Sequence, residues 1–127
     1  SVNLSKQTHI IAANIDLAFL LVTLDHPPTF TAFIDRFLAT AEAYDIEAIL
    51  LFNKTDMYDE ELHLKKEEFM KIYSDIGYLC IEISATENYN IDKVKELMLG
   101  KVSMFSGHSG VGKSTLINAI DPSLDLK

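Results

Sequence analysis

Residues 107–114 read Gly107-His108-Ser109-Gly110-Val111-Gly112-Lys113-Ser114, and the outer glycine, the lysine and the serine have the spacing of a phosphate-binding loop. Glycines suit such a loop because its backbone amides must point inward around an anion, where a side chain would block them. A predicted strand precedes the segment and a predicted helix follows it, so the helix N-terminus also faces the anion. The alternative, a glycine-rich turn without a ligand, is disfavoured by this strand, loop and helix context.

Two side chains of this loop carry its expected chemistry. Lys113 is predicted to reach the outer phosphates as a compact positive charge, and it is the candidate catalytic residue. The hydroxyl of Ser114 is predicted to bind Mg²⁺, which prefers oxygen ligands.

A second motif, Asn53-Lys54-Thr55-Asp56, directly follows a predicted strand at Ala48–Phe52. The Asp56 carboxylate has two acceptor oxygens, and guanine presents two adjacent donors that match them. Adenine lacks the ring donor, so a site built on this pair would reject it. Asn53 is expected to hold the loop and contact the base, and the stem of Lys54 to lie over the base plane. Taken alone, the tetrapeptide also fits an ordinary polar turn.

A third motif, Ser84-Ala85-Thr86, follows the next predicted strand, Tyr78–Ile83, and places the Ala85 amide to donate to the guanine carbonyl. Each of the last three predicted strands therefore ends in a polar motif. In open α/β sheets, ligands bind at the carboxyl ends of strands, so the motifs are expected to converge. The residues predicted to contact the nucleotide are Asn53, Lys54, Asp56, Ser84, Ala85, Thr86, Gly107, His108, Ser109, Gly110, Val111, Gly112, Lys113, Ser114 and Thr115.

The hydrophobic pattern predicts strands that alternate with helices, and hence an α/β fold of the P-loop NTPase type with an open, mostly parallel sheet and helices on both faces. Further strands are expected at Leu17–Thr23 and Lys101–Phe105. Helices are expected at about 29–44 and 59–75, after a capping Asn90, and from Lys113. The charged residues from Asp59 to Lys71 are expected to form a solvated helix face. The residues expected to face the core are Phe30, Phe33, Phe37, Leu62, Phe69, Ile72, Tyr73, Ile76 and Cys80.

Composition narrows the class of protein. The 127 residues suit one domain or most of one, and a hydrophobic share of 48% supports a core. The net charge of −8 does not favour nucleic-acid binding by this segment. A single cysteine excludes a disulfide within the chain and a cysteine-based zinc site, and it fits a cytoplasmic location. No apolar run is long enough to span a membrane, and no signal segment is visible.

The order of the motifs carries a resemblance to a known family. In ordinary small GTPases the phosphate loop comes first, whereas here it follows the guanine motif, as in circularly permuted GTPases. The run Ser109–Asn118 resembles the RsgA (YjeQ) family of ribosome small-subunit-dependent GTPases, and so do Ala12–Asp16 and Asp35–Leu38. The resemblance covers essentially the whole chain. His108 departs from it, because glutamine is expected there.

The resemblance implies a cytoplasmic enzyme that hydrolyses GTP to GDP and phosphate, with Mg²⁺, during maturation of the small ribosomal subunit. It implies contact with the 30S subunit and its rRNA through the full-length protein, which is expected to be monomeric and not bound to a membrane. The family also has an N-terminal oligonucleotide-binding barrel and a C-terminal zinc domain, and zinc is expected only in the latter, outside this chain.

Residues 1–127 are thus interpreted as a partial permuted GTPase domain. None of the five glycines has an aspartate three residues before it, so the Asp-x-x-Gly switch and the switch threonine are expected after Lys127. The fragment alone is expected to turn over GTP poorly, and its phosphate-loop strand to have an exposed edge. Two alternatives remain at this point, a non-catalytic guanine-nucleotide-binding module and an ATP-dependent P-loop enzyme.

Overall fold

The structure, a computed structural model, describes residues 14–24, 28–53, 59–107 and 112–121. Strands and helices alternate along these residues, as the hydrophobic pattern predicts. In chain order they are β1 (Leu17–Val22), α1 (Thr31–Ala43), β2 (Glu47–Asn53), α2 (Glu60–Asp75), β3 (Leu79–Ile83), α3 (Ile91–Met98), β4 (Ser103–Ser106) and α4 (Lys113–Ile120). None of the described helices is long and apolar enough to cross a membrane.

The four strands form one sheet in the order β3-β2-β1-β4, and all three pairings are parallel. The register pairs Leu20 of β1 with both Leu50 of β2 and Ser106 of β4. Asn53, the last residue of β2, pairs with Ile83, the last residue of β3. The prediction of a parallel α/β sheet is confirmed, and the carboxyl ends of all four strands lie along one edge.

Helices cover both faces of this sheet. On one face, Phe19 packs in a cluster with Val94 of α3 and Leu116 of α4. On the other face, Leu20 packs in a cluster with Ile34 of α1 and Tyr73 of α2. Because β1 is covered on both sides, its sequence is a continuous apolar run, as is typical of a parallel strand inside a sheet.

Three residues predicted in the core are exposed instead. Phe30 is 66% exposed because it lies at the N-cap of α1, before the first helical turn. Ile76 is 64% exposed because α2 ends at Asp75 and leaves it outside the helix. Ile72 is 49% exposed because its neighbour Tyr73 points toward the sheet, and adjacent helical residues point about 100° apart.

The expectation of a fully solvated charged face on α2 is wrong at Lys66. Lys66 is only 3% exposed, and its ammonium group forms an ion pair with Glu82 of β3. Its position between Leu62, Phe69 and Tyr73 places it on the inward face of the helix, since residues three or four apart share a face. A buried lysine requires such a charged partner, and here the partner lies on an edge strand of the described sheet.

The strand that leads to the glycine loop is short and lies at the other edge. β4 begins at Ser103 rather than Lys101, because the Lys101 amide closes a turn onto the Met98 carbonyl at 3.0 Å. In the described part of the chain, β4 pairs only with β1, which agrees with the expected open edge. Phe105 of β4 stacks on Phe19 with 4.8 Å between ring centroids and 10° between ring planes. This stack fixes β4 to the central strand two residues before the loop begins.

Candidate functional site

The glycine loop begins and ends where the sequence predicts. Gly107 directly follows β4, and α4 begins at Lys113 after Gly112. Gly112 has φ of 91°, and its carbonyl accepts the first helical hydrogen bond, from the Leu116 amide at 2.9 Å. A Cβ atom at Gly112 would meet no heavy atom within 4 Å. The glycine is therefore required by its backbone torsion, which other residues adopt only with strain, and not by lack of space.

Lys113 and Ser114 are the first two residues of α4, and both are partly buried. Thr115 follows in the same turn and is exposed. The free amides at the start of α4 lie beside the carboxyl edge of the sheet, which gives that edge a positive pole. The positions predicted for the middle of the loop lie outside the described residues: His108, Ser109, Gly110 and Val111.

The guanine motif begins on the same edge but further out. Asn53 ends β2 and is partly buried, whereas Lys54 and Asp56 lie outside the described residues. β2 is two strands from β4, roughly 10 Å across the sheet. Because Ser106 is level with Leu50, Gly107 is level with Leu51, and Asn53 lies two residues further along the strand direction, roughly 7 Å. The two motifs thus begin roughly 12 Å apart on a diagonal, a spacing that suits an elongated ligand with an anionic end and a flat end.

The third motif forms a closed loop after β3. The Ser84 amide donates to the Tyr89 carbonyl at 3.1 Å, and the Tyr89 amide donates back to the Ser84 carbonyl at 2.8 Å. The Ser84 hydroxyl accepts from the Glu87 amide at 3.2 Å and lies 3.3 Å from the Thr86 hydroxyl. Ser84 is only 2% exposed, so its hydroxyl shapes the loop from inside, while Thr86 is exposed.

Ala85 differs from its neighbours in this loop. Within the described part of the chain, no group accepts a hydrogen bond from the Ala85 amide. A backbone donor that finds no partner in the protein needs water or a ligand. The Ala85 amide is therefore available to donate to water or to a ligand, and its contact with a bound base stays a prediction.

Two threonines that lie between these motifs join the end of β1 to the segment before α1, a role that the motifs did not indicate. At the end of β1, the Thr23 amide donates to the Thr29 hydroxyl at 3.2 Å, and the Thr29 amide donates to the Thr23 carbonyl at 2.7 Å. Both residues are less than 5% exposed. This pair holds the segment before α1 against the end of β1, at the middle of the carboxyl edge of the sheet. The sequence signal was a polar β-branched residue directly after an apolar strand.

The prediction that Asn90 caps α3 with its side chain is wrong. Asn90 occupies the N-cap position with φ of 59°, and its side chain makes no capping hydrogen bond. The side-chain amide donates instead to the Glu82 carbonyl at 2.7 Å. An N-cap residue needs an extended backbone to reach its own helix, and the left-handed conformation of Asn90 turns the side chain back toward β3.

The sequence matches a known protein family. The sequence model of one family, described as RsgA GTPase, matches residues 2–127. The chain belongs to the RsgA GTPase family. The predicted family resemblance is confirmed.

Relatives of the RsgA family agree in sequence and in fold. The small ribosomal subunit biogenesis GTPase RsgA of Flavobacterium johnsoniae is 67% identical over 127 residues, which is 100% of this chain and 39% of that protein. The crystal structure of YjeQ from Thermotoga maritima matches with a TM-score of 0.83 and 43% identity, over 90% of this chain and 41% of that one. YloQ, described as a circularly permuted GTPase, matches with a TM-score of 0.75 and 34% identity, over 87% and 39% respectively. The chain thus spans about 40% of the length of the RsgA relatives that it matches.

Proposed function

We propose that this chain is the GTP- and GDP-binding portion of a GTPase that hydrolyses GTP to GDP and phosphate in small ribosomal subunit biogenesis. One observation carries the proposal: the strands that precede the guanine motif, the Ser-Ala-Thr motif and the glycine loop are parallel and end at one edge of one sheet. This shared edge supports the proposal that one nucleotide contacts residues between Asn53 and Thr115. The functions named for the family relatives support the same assignment.

The base end of the proposed site provides selectivity. The Asp56 carboxylate accepts from the two guanine donors, while Asn53 and Lys54 hold the loop and cover the base. The Ala85 amide donates to the guanine carbonyl oxygen. Adenine has an amine at the position of that oxygen, so both contacts would face mismatched groups and a buried polar group would lose its partner.

The phosphate end provides the charge. The backbone amides of residues 107–112 and the start of α4 surround the phosphates, and Lys113 neutralises charge that develops on the outer phosphate during transfer. Phosphoryl transfer requires mainly positioning and charge stabilisation from a protein, so a loop whose flanking residues are packed in the core suits it. The Phe105–Phe19 stack and the burial of Leu116 at 1% exposure fix both sides of this loop to the core.

The residues present fit a magnesium ion that is shared with the nucleotide. Among the described residues, no group of three or more histidine, cysteine or acidic side chains could hold a metal. Mg²⁺ commonly takes one or two protein oxygens and completes its shell with substrate phosphates and water. The Ser114 hydroxyl, in the first turn of α4, is the protein oxygen that would hold it, and the ion would neutralise phosphate charge.

The full-length protein is proposed to be a cytoplasmic monomer that contacts the 30S subunit and its rRNA. The net charge of −8 on this chain disfavours a direct contact between this segment and RNA phosphates. The RNA contact is therefore assigned to other parts of the full-length protein, and a zinc ion is expected only in the family's C-terminal zinc domain.

A competition titration tests the nucleotide assignment. Unlabelled GDP should displace a fluorescent GDP from the full-length protein at far lower concentration than ADP does. Equal displacement by the two would refute the role of Asp56, and preference for ADP would favour an ATP-dependent P-loop enzyme. Phosphate release from GTP, measured with and without small ribosomal subunits, then tests the activity, which should rise when subunits are added.

A further inference from the structure

The loop between β3 and α3, residues 84–90, is fastened to β3 by a side chain at its far end. The Asn90 amide group donates to the Glu82 carbonyl at 2.7 Å, and Glu82 is the second-last residue of β3. Inside this outer link, Ser84 and Tyr89 bond each other through their backbones in both directions. The loop is thus closed twice, once by its own backbone and once by the side chain of Asn90.

The carbonyl that Asn90 contacts lies on an open strand edge. Among the described strands, β3 pairs only with β2, so the carbonyls on its other side have no strand partner. Asn90 supplies a donor to one of these carbonyls. The carboxylate of the same Glu82 forms the ion pair with buried Lys66. Glu82 is therefore held through both its backbone and its side chain, which makes it a rigid anchor for the loop.

Ala85 lies three residues after that anchor, and its amide has no acceptor among the described residues. The bonds between Ser84 and Tyr89 close the loop through its own backbone. The Asn90–Glu82 bond adds a link between the far end of the loop and β3. We propose that Asn90 is a positioning residue that aims the Ala85 amide at the guanine carbonyl oxygen, an inference that rests on the nucleotide-binding function proposed above.

The backbone of Asn90 allows this role to be separated from stability. Asn90 has φ of 59°, a left-handed conformation in which glycine is less strained than asparagine. Asn90→Gly thus removes the amide group while it relaxes the backbone, and Asn90→Ala removes the amide group without relaxing it. Asn88 offers a matched control, because it has φ of 56° in the same loop and its side chain has no hydrogen-bond partner in the described part of the chain.

The test compares GDP with 6-thio-GDP, in which a weaker acceptor, sulfur, replaces the carbonyl oxygen. Both dissociation constants are measured in the full-length protein by displacement of a fluorescent GDP. Asn90→Ala and Asn90→Gly should each weaken GDP binding about threefold to tenfold, the loss expected for one misdirected hydrogen bond. Binding of 6-thio-GDP should weaken less, so the ratio of the two constants should approach one. Asn88→Ala should keep the ratio of the unaltered protein.

The outcomes distinguish the inference from the function on which it rests. If the unaltered protein does not prefer GDP to ADP, the proposed function fails. If it prefers GDP but Asn90→Gly keeps both affinities, Asn90 does not position the loop. Equal weakening of GDP and 6-thio-GDP would also overturn the proposal, because a purely structural role predicts that result. Thermal melts accompany each titration, and Asn90→Gly should melt no lower than Asn90→Ala.

Discussion

Replacement of Gly112 by alanine separates the strain of the phosphate loop from its function. Gly112 has φ of 91°, and a Cβ atom there would meet nothing within 4 Å. The substitution therefore adds backbone strain without a steric clash. Gly77, which lies between the end of α2 and the start of β3, has φ of 108° and equally open surroundings. Gly77→Ala is thus a matched control with similar strain and no part in the proposed site.

The expected magnitudes follow from this match. In the absence of nucleotide, each variant should lose about 1–2 kcal/mol of unfolding free energy, the cost of placing a Cβ in a left-handed conformation. GDP at roughly 100 times its dissociation constant should add about 2.7 kcal/mol to the unaltered protein and to Gly77→Ala. If alanine at 112 misdirects one amide, GDP binding weakens about tenfold or more, and the same GDP concentration then adds only about 1.4 kcal/mol or less.

Urea denaturation of the full-length protein, with and without GDP, measures both quantities in one experiment. The difference between the two midpoints for each variant gives the stabilisation by nucleotide. An equal GDP-dependent gain in Gly112→Ala and Gly77→Ala would refute the assignment of Gly112 to the phosphate site. Unchanged stability of both variants without nucleotide would refute the strain argument itself.

Four further substitutions test other parts of the reasoning. Asp56→Asn should weaken GDP binding roughly tenfold to hundredfold and improve the binding of xanthosine diphosphate, because the asparagine amide donates where the carboxylate accepts. A titration with both nucleotides measures the two affinities, and an unchanged affinity for GDP would contradict the prediction. Glu82→Gln should cost about 3 kcal/mol of unfolding free energy, because it leaves the charge of Lys66, whose side chain is 4% exposed, without its partner. Lys66→Met should cost only about 1 kcal/mol, because the Glu82 side chain that it leaves unpaired is 22% exposed. Urea denaturation that ranks the two variants in the opposite order would contradict the burial argument. Burial raises the pKa of the Cys80 thiol from 9.0 to about 11, so the unfolded chain loses this proton at lower pH than the folded chain does. The free energy of unfolding should therefore fall as the pH rises from 9 toward 11. In Cys80→Ala it should fall less over this range, and equal slopes of unfolding free energy against pH would contradict the shift.

The sequence predicted the fold because strong local signals agreed with one another. Apolar runs such as that of β1, interrupted by amphipathic helices, leave few arrangements other than a parallel sheet with helices on both faces. The motifs at the strand ends then placed Asn53, Ala85 and Lys113 on one edge without any knowledge of tertiary contacts, because parallel strands end together. The nucleotide contacts of all these residues remain predictions, and Lys54, Asp56 and residues 108–111 also lie outside the described residues.

The errors arose where a residue's partner is distant in sequence. Lys66 was assigned to a solvated face because its neighbours along the helix are charged, but its partner Glu82 lies on another element. Asn90 occupies the N-cap position that asparagine favours, but its left-handed backbone turns the side chain to β3 and not to its own helix. Neither the partner nor the backbone torsion is visible in local sequence, and in both cases the distant partner is Glu82 of β3.

The separation between β2 and β4, the strands that precede the guanine motif and the glycine loop, is set by β1. Neither β2 nor β4 contacts the other in the sheet, and each is aligned by its own register with β1. Every residue of β1 is at most 3% exposed, and Phe19 of this strand stacks on Phe105. Changes in the packing of β1 should therefore move the phosphate loop relative to the base-reading motifs although no residue of β1 is proposed to contact the ligand. The order of β2 and β4 along the sequence affects how these strands are connected, whereas the distance between the motifs that follow them depends on β1, which lies between them.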